Sequence, residues 1–373
     1  ANNNTAVGTD SLKANTTGTQ NVAVGASALD ANTTGGDNTA IGVDALGGNT
    51  TAANSTAVGH QALTGNTTGT GNTAVGANAL DANTTAAYNA AFGQDALTAN
   101  TTGTENTSIG TFSMVNSTTG SYNTALGAGA LFSSSEGADN VAIGLEAMRN
   151  TTASDNTAVG YRALKESDGV GNTAVGHSAM ITTTSGANNT ALGRDAGGAT
   201  TTGYENVYIG YQAGTHNTSH QTGAGCVILG PYCDTDAADT AQAIVIGYDV
   251  TGTASTTTLG SGSSDIRTSH GSVNWATVSD ERVKKNITDA TAGLSFINDL
   301  KPRTFKYKNK GDLPETFKGY EKDSTEVFKF STTEHGFIAQ EVKTAIDNHS
   351  EIKDGFKMWS ERESGQQELA ESA

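Results

Sequence analysis

A short run, Asn-Thr-Ala-(Val/Ile)-Gly-x-x-Ala-Leu, recurs along the chain. Polar stretches that often contain Thr-Thr-Gly separate the copies. The glycine falls at Gly8, Gly25, Gly42, Gly59, Gly76, Gly93, Gly110, Gly127 and Gly144, a constant step of 17 residues. It continues at Gly160, Gly176, Gly193 and Gly210 in steps of 16 or 17, then at Gly230, Gly247 and Gly260 with looser spacing. The residue before the glycine is apolar, from Val7, Val24 and Ile41 to Phe92, Ile109, Leu126 and Ile143. Leu or Met sits four residues after it, as at Leu12, Leu29, Leu46, Met114 and Met148, and small Ala residues flank the glycine. A fixed period of this kind means a repeat architecture, in which stacking buries apolar residues that one unit leaves bare.

Units rich in Gly, Thr and Asn make poor helices. The pattern therefore predicts a mainly β chain, a parallel β-solenoid (β-roll) with one coil per repeat of about 17 residues. Each unit reads as two strand-like pieces, each sending one large and one small apolar residue inward, with the glycine at a sharp corner. About sixteen coils spaced ~4.8 Å apart make a rod of roughly 75 Å. Asn4, Asn21, Asn38, Asn72, Asn89 and Asn106 open units, where an amide tolerates turn geometry and stacks on the next layer. Pairs such as Thr16-Thr17, Thr33-Thr34 and Thr50-Thr51 align into a Thr ladder.

The period decays after Gly247. Residues 248–278, rich in Thr, Ser and Gly, predict a polar β connector shared among three chains. From Ser279 the composition turns Lys-rich and mixed in sign, so the expected domains are 1–247, 248–278 and 279–373. The last is a small α+β domain. Ser279 is placed as a helix N-cap, and Leu294, Ile297 and Leu300 lie at helical spacing before Pro302. Thr304–Lys308 and Thr325–Phe330 alternate as strands, and His335–Val342 leads into a second helix.

Composition narrows the function classes. The net charge of -17 speaks against nucleic acid, since phosphate contacts need clustered Lys and Arg. No apolar run approaches the ~20 residues of a membrane span. Cys226 and Cys233, seven apart, allow a disulfide or two half-buried thiols, and no metal-ligand set or cofactor motif surrounds them. Carboxylates such as Asp30, Asp44 and Asp95 sit at variable unit positions and read as solvated. The chain opens inside a repeat, at Asn4-Thr5-Ala6-Val7-Gly8, which suggests an N-terminal truncation.

Two resemblances follow from these residues. The Asn-Thr-Ala-Val-Gly unit resembles the head repeats of trimeric autotransporter adhesins of the YadA and haemagglutinin type, over about residues 1–260. Those heads are left-handed parallel β-rolls with three chains side by side and a shorter unit. The segments Trp275–Ile287 (WATVSDERVKKNI), Leu300–Tyr307 (LKPRTFKY) and His335–Val342 (HGFIAQEV) resemble the peptidase S74 family of phage tail spikes and fibres. That resemblance spans about residues 272–373. It implies a domain that trimerises the fibre, templates the β-structure upstream and then cuts itself off.

The second resemblance carries a Ser-Lys dyad onto Ser279 and Lys284. A serine hydroxyl needs a base, and a lysine amine serves once its pKa falls from about 10.4 toward 7–8. Arg282 and Lys285 push it that way; Asp280 and Glu281 oppose them. His335 and Glu341 lie in a family motif, with a chemical or a structural role open. The family's terminal coiled-coil helix is expected after Gln367–Ala370, and the chain ends at Ala373.

The reading that follows is a structural tail-fibre protein of the virion, a homotrimer. Its partners are other tail proteins and a host-surface receptor, with no nucleic acid, no membrane insertion and no cofactor. Its only enzymatic act is a single self-cleavage beside Ser279. A trimeric bacterial surface adhesin and a Thr-ladder ice-binding solenoid are the alternatives.

Overall fold

A computed structural model describes residues 2–271, 276–277, 294–316, 320–328, 332–349, 359–361 and 367–369. The chain divides into two compact units, Ala1–His270 and Gly271–Ala373.

The first unit is a parallel β-solenoid. Three-residue strands such as Thr5–Val7, Val22–Val24, Thr39–Ile41 and Thr56–Val58 pair in parallel, coil on coil, through to Thr256–Ser261. The register aligns like with like: Val22 with Thr39, Ala23 with Ala40, Val24 with Ile41. The corner glycines show why no other residue serves there. Gly25 has a φ of +140°, and a Cβ on it would lie 2.3 Å from the carbonyl oxygen of Gly42 in the next coil. Backbone stacks directly on backbone at this corner.

The core is narrower than the repeat suggests. In Thr39–Ile41 only Ala40 points inward; Thr39 is half-buried and Ile41 is exposed. Successive strand residues face opposite sides, so the apolar residue before the glycine cannot share a core with the Ala before it. The expectation that both are buried is corrected here. Ile109, Phe92, Leu126 and Leu192 are 38% to 49% exposed, and the residues at this position form an apolar ladder along the outside of the shaft.

The second piece of each unit is a turn. Ala45 and Leu46 both point inward and are fully buried, because Asp44 and Leu46 adopt φ of 56° and 50°. That left-handed conformation costs a leucine about 1–2 kcal/mol. It is held by burial and by hydrogen bonds along the stack: Leu46 N–H donates to Ala62 O at 3.0 Å, and Asp44 N–H to Ala26 O at 3.0 Å.

The unit-opening asparagines do stack. Asn38 is fully buried; its backbone N–H donates to Asn21 Oδ1 at 3.0 Å and its Nδ2 to Ala52 O at 2.9 Å. The first threonine of each pair forms the expected ladder, with Thr33 Oγ1 donating to Thr50 O at 3.0 Å. Cys226 and Cys233 are buried free thiols.

Residues 248–269 continue the single-chain stack. Thr256–Ser261 pairs in parallel with Ile244–Tyr248, then turns back as an antiparallel hairpin with Ser264–Ser269. Thr258 is fully buried within this chain. The polar β-structure expected here is thus present over these residues, as a coil and a hairpin of one chain.

In the second unit, α1 (Leu294–Asp299) and α2 (Ala339–Asn348) pack around Phe296, Val342, Ala345 and Ile346, with Leu300 against them. The buried face of α1 carries Phe296. Leu294 and Ile297, expected inside, are exposed. A six-residue helix, under two turns long, turns only Phe296 toward α2. Arg303–Phe305 is a strand, and at 325–328 only Val327 makes a bridge, to Asn309. The expected strand from Thr325 is corrected to that single pairing among its described residues.

Candidate functional site

Chemistry was expected at Ser279 and Lys284. Both lie outside the described residues, as does the helix expected to start at Ser279.

The other two motif segments meet. Arg303–Phe305 pairs antiparallel with Glu334–Gly336, setting Thr304 opposite His335. Thr304 Oγ1 and His335 Nδ1 are hydrogen-bonded across the pair at 3.0 Å. Arg303 forks onto Glu341 in the first turn of α2, Nε donating to Oε2 at 2.8 Å and Nη2 to Oε1 at 2.6 Å. This bidentate geometry is specific to guanidinium and carboxylate. The hydrogen bond from Arg303 holds the Glu341 carboxyl below the usual carboxylate range and raises Arg303 in turn. Both side chains stay partly in solvent, so the pair positions α2 against the strand more than it stabilises the fold.

His349 closes the other end of the same seam. Its Nε2 lies 2.9 Å from Asp299 Oδ2 and its ring meets Phe296 edge-on at 5.5 Å. A small cavity of about 160 Å³ lies here, lined by Asp299, Lys301, Glu341, Thr344, Ala345 and Asn348. His335 and Glu341 thus each have a structural partner. Arg303, Asp299 and His349 were missed as members of this arrangement. Pairing a strand Arg with a helix Glu 38 residues away leaves no periodic signal in one sequence.

No described group of three or more His, Cys, Asp and Glu could hold a metal ion, and no described helix is long and apolar enough to cross a membrane. No curated protein and no solved structure matches the chain. Residues 279–351 match the peptidase S74 family, described as the chaperone of endosialidase.

Proposed function

We propose that the chain is the shaft and chaperone of a homotrimeric tail fibre or spike of a phage virion. The S74-type segment trimerises the fibre and releases itself by one cut beside Ser279. The observation that carries this reading is the family match, which begins at Ser279 and follows directly on a β-solenoid. The exposed apolar ladder supports the trimer: three copies side by side would cover a stripe that one chain leaves in water.

In the cleavage step, Ser279 Oγ attacks the carbonyl carbon of a neighbouring peptide bond. Neutral Lys284 takes the hydroxyl proton and passes it to the leaving amine. Water then hydrolyses the resulting ester and frees Ser279. One nucleophile cutting its own chain once gains from proximity, so a modest catalyst suffices. Partners are other tail proteins at one end and a host-surface receptor.

Denaturing gels test the chemistry. The 373-residue chain is expressed as it stands and, in parallel, with a trimeric coiled coil appended at its C-terminus. Wild type should yield two fragments meeting at Ser279, and Ser279→Ala and Lys284→Ala should each remain whole while still trimeric. A Ser279→Ala chain cut at the same bond would assign the cleavage to an outside protease.

A further inference from the structure

One edge of the shaft departs from its own repeat. One, two and five residues after the corner glycine, most coils carry small or polar residues, such as Ala26, Ser27 and Asp30, or Ala77, Asn78 and Asp81. In the coils cornered at Gly110, Gly127 and Gly144 these become Thr111, Phe112 and Val115; Ala128, Gly129 and Phe132; Leu145, Glu146 and Arg149. Gly129 leaves a gap in the column between Phe112 and Glu146. A notch of about 450 Å³ opens there, lined by Phe112, Gly129, Phe132, Leu145, Glu146 and Arg149 among others. That volume falls within the ~300–1,000 Å³ of small-molecule sites.

The notch is apolar on one side and charged on the other. Phe112 and Leu145 are 44% and 50% exposed. The Arg149 guanidinium lies 4.6 Å over the Phe132 ring, and its Nη1 donates to Glu146 Oε1 at 2.7 Å. Arg162 Nε donates to Glu146 Oε2 at 2.7 Å. Two arginines thus share one carboxylate, leaving local positive charge on a chain of net charge -17.

We propose that this notch binds one unit of an acidic saccharide, its ring face on Phe112, Phe132 and Leu145 and its carboxylate at Arg149. A sugar ring has an apolar C–H face and hydroxyls that both donate and accept. It can therefore meet aromatic rings, the Glu146 acceptor and the arginine donors together. A fatty anion would bring no hydroxyls to the charged side of the notch, where Glu146 and Arg149 lie. A further chain of the same protein is the rival occupant, but a contact between copies of a repeat recurs in every coil, as the Val/Ile ladder does. The notch occurs where three successive coils break the repeat. The inference does not depend on trimerisation or on self-cleavage.

Binding of a glucuronate-containing disaccharide to the full chain, followed by NMR saturation transfer and calorimetry, tests it. The comparison sugar is the neutral disaccharide with hydroxymethyl in place of the carboxylate. Gly129→Asn fills the notch without straining the backbone. Gly129 has a φ of +62°, Asn78 holds the same coil position at 56°, and a new Cβ meets nothing closer than Arg149 Nη1 at 3.6 Å. The acidic sugar should bind, with the neutral one and the Gly129→Asn chain each weaker by about tenfold or more. The proposal is overturned by equal affinity for both sugars, by no saturable binding of the acidic one, or by full binding to Gly129→Asn. A Gly129→Asn chain whose oligomeric size changes while its sugar binding does not would make the notch a chain–chain contact, and would equally overturn it.

Discussion

At the residue scale the repeat tolerates change only in compensated sets. The coil cornered at Gly110 replaces both core alanines by Ser108 and Ser113, which hydrogen-bond each other in the buried interior. The coil cornered at Gly210 puts Tyr208 where most of the coils before it put Ala. Room comes from Gly197 and Gly214, which stand in two leucine positions; a Cβ on them would lie 2.7 and 2.4 Å from the ring. Both exchanges stand in plain sight in the sequence, but their coupling appears only once coils are stacked. Tyr208→Ala should destabilise the surrounding coils by about 3–5 kcal/mol, read as lost hydrogen-exchange protection near residues 197–228. Unchanged protection there would mean the ring fills no needed space.

The same ring anchors a buried polar chain. Thr200 Oγ1 donates to Tyr208 Oη at 3.0 Å, Tyr208 Oη donates to His220 Nδ1 at 2.7 Å, and His220 Nε2 donates to Thr240 O at 2.7 Å. Burial lowers the pKa of His220 below its ordinary value, against smaller opposing pulls from the Thr240 carbonyl and from Asp234 and Asp239. In acid the unfolded chain takes up a proton that the folded coil resists. The stability due to neutral His220 is thus whole above about pH 6.5 and is lost as the pH falls below it. Exchange protection of residues 200–240 should drop between pH 7 and pH 5 in wild type and much less in His220→Gln. Equal losses in both would place the acid sensitivity elsewhere.

At the scale of elements, the solenoid was legible because period and glycine survive any detail of facing. What was not legible was which side of each strand is inside. Thr-Ala-Val reads as two apolar residues in a row, and only the pleat decides that Ala40 goes in and Ile41 out. A second polar column was also missed. Asn15, Asn32, Asn49, Asn66, Asn83 and Asn100 form an amide ladder in which each Nδ2 after Asn15 donates to the preceding Oδ1, as Asn100 does to Asn83 at 3.0 Å. The ladder ends where Ser117, Ser134, Thr151, Ser167 and Thr183 take over. Among the described residues, the buried side-chain atoms lacking a partner are Asn100 Oδ1 and these five hydroxyls. Ser117→Asn should restore one rung and stabilise the shaft by about 1 kcal/mol. Denaturant unfolding checks the direction, and a lower midpoint would show that the neighbouring coils have closed over the space. In the second unit the motifs were readable as segments. Their meeting through Arg303 and Glu341 was not, because it depends on tertiary placement.

At the scale of the whole molecule, the exposed ladder bears most on assembly. Val24, Ile41, Val58, Val75, Phe92, Ile109 and Leu126 repeat at one position of successive coils, so the parallel register lines them up ~4.8 Å apart. Isolated apolar residues on a surface need no explanation, but a continuous stripe of them marks a contact. Because successive coils carry an apolar residue in the same place, a copy of the chain aligned in parallel would meet the stripe along its whole length. Closed symmetry would then limit the number of copies, and the proposed assembly has three. A charge placed on the stripe should therefore break the assembly without unfolding the coil. Ile109 and Phe92 are already 38% and 40% exposed and carry no share of the interior. The double variant Phe92→Asp/Ile109→Asp should keep its β circular dichroism and fall from trimer to monomer in light scattering. A wild-type chain that is a monomer at every concentration, or a variant that remains a trimer, would show that the copies do not meet along this ladder.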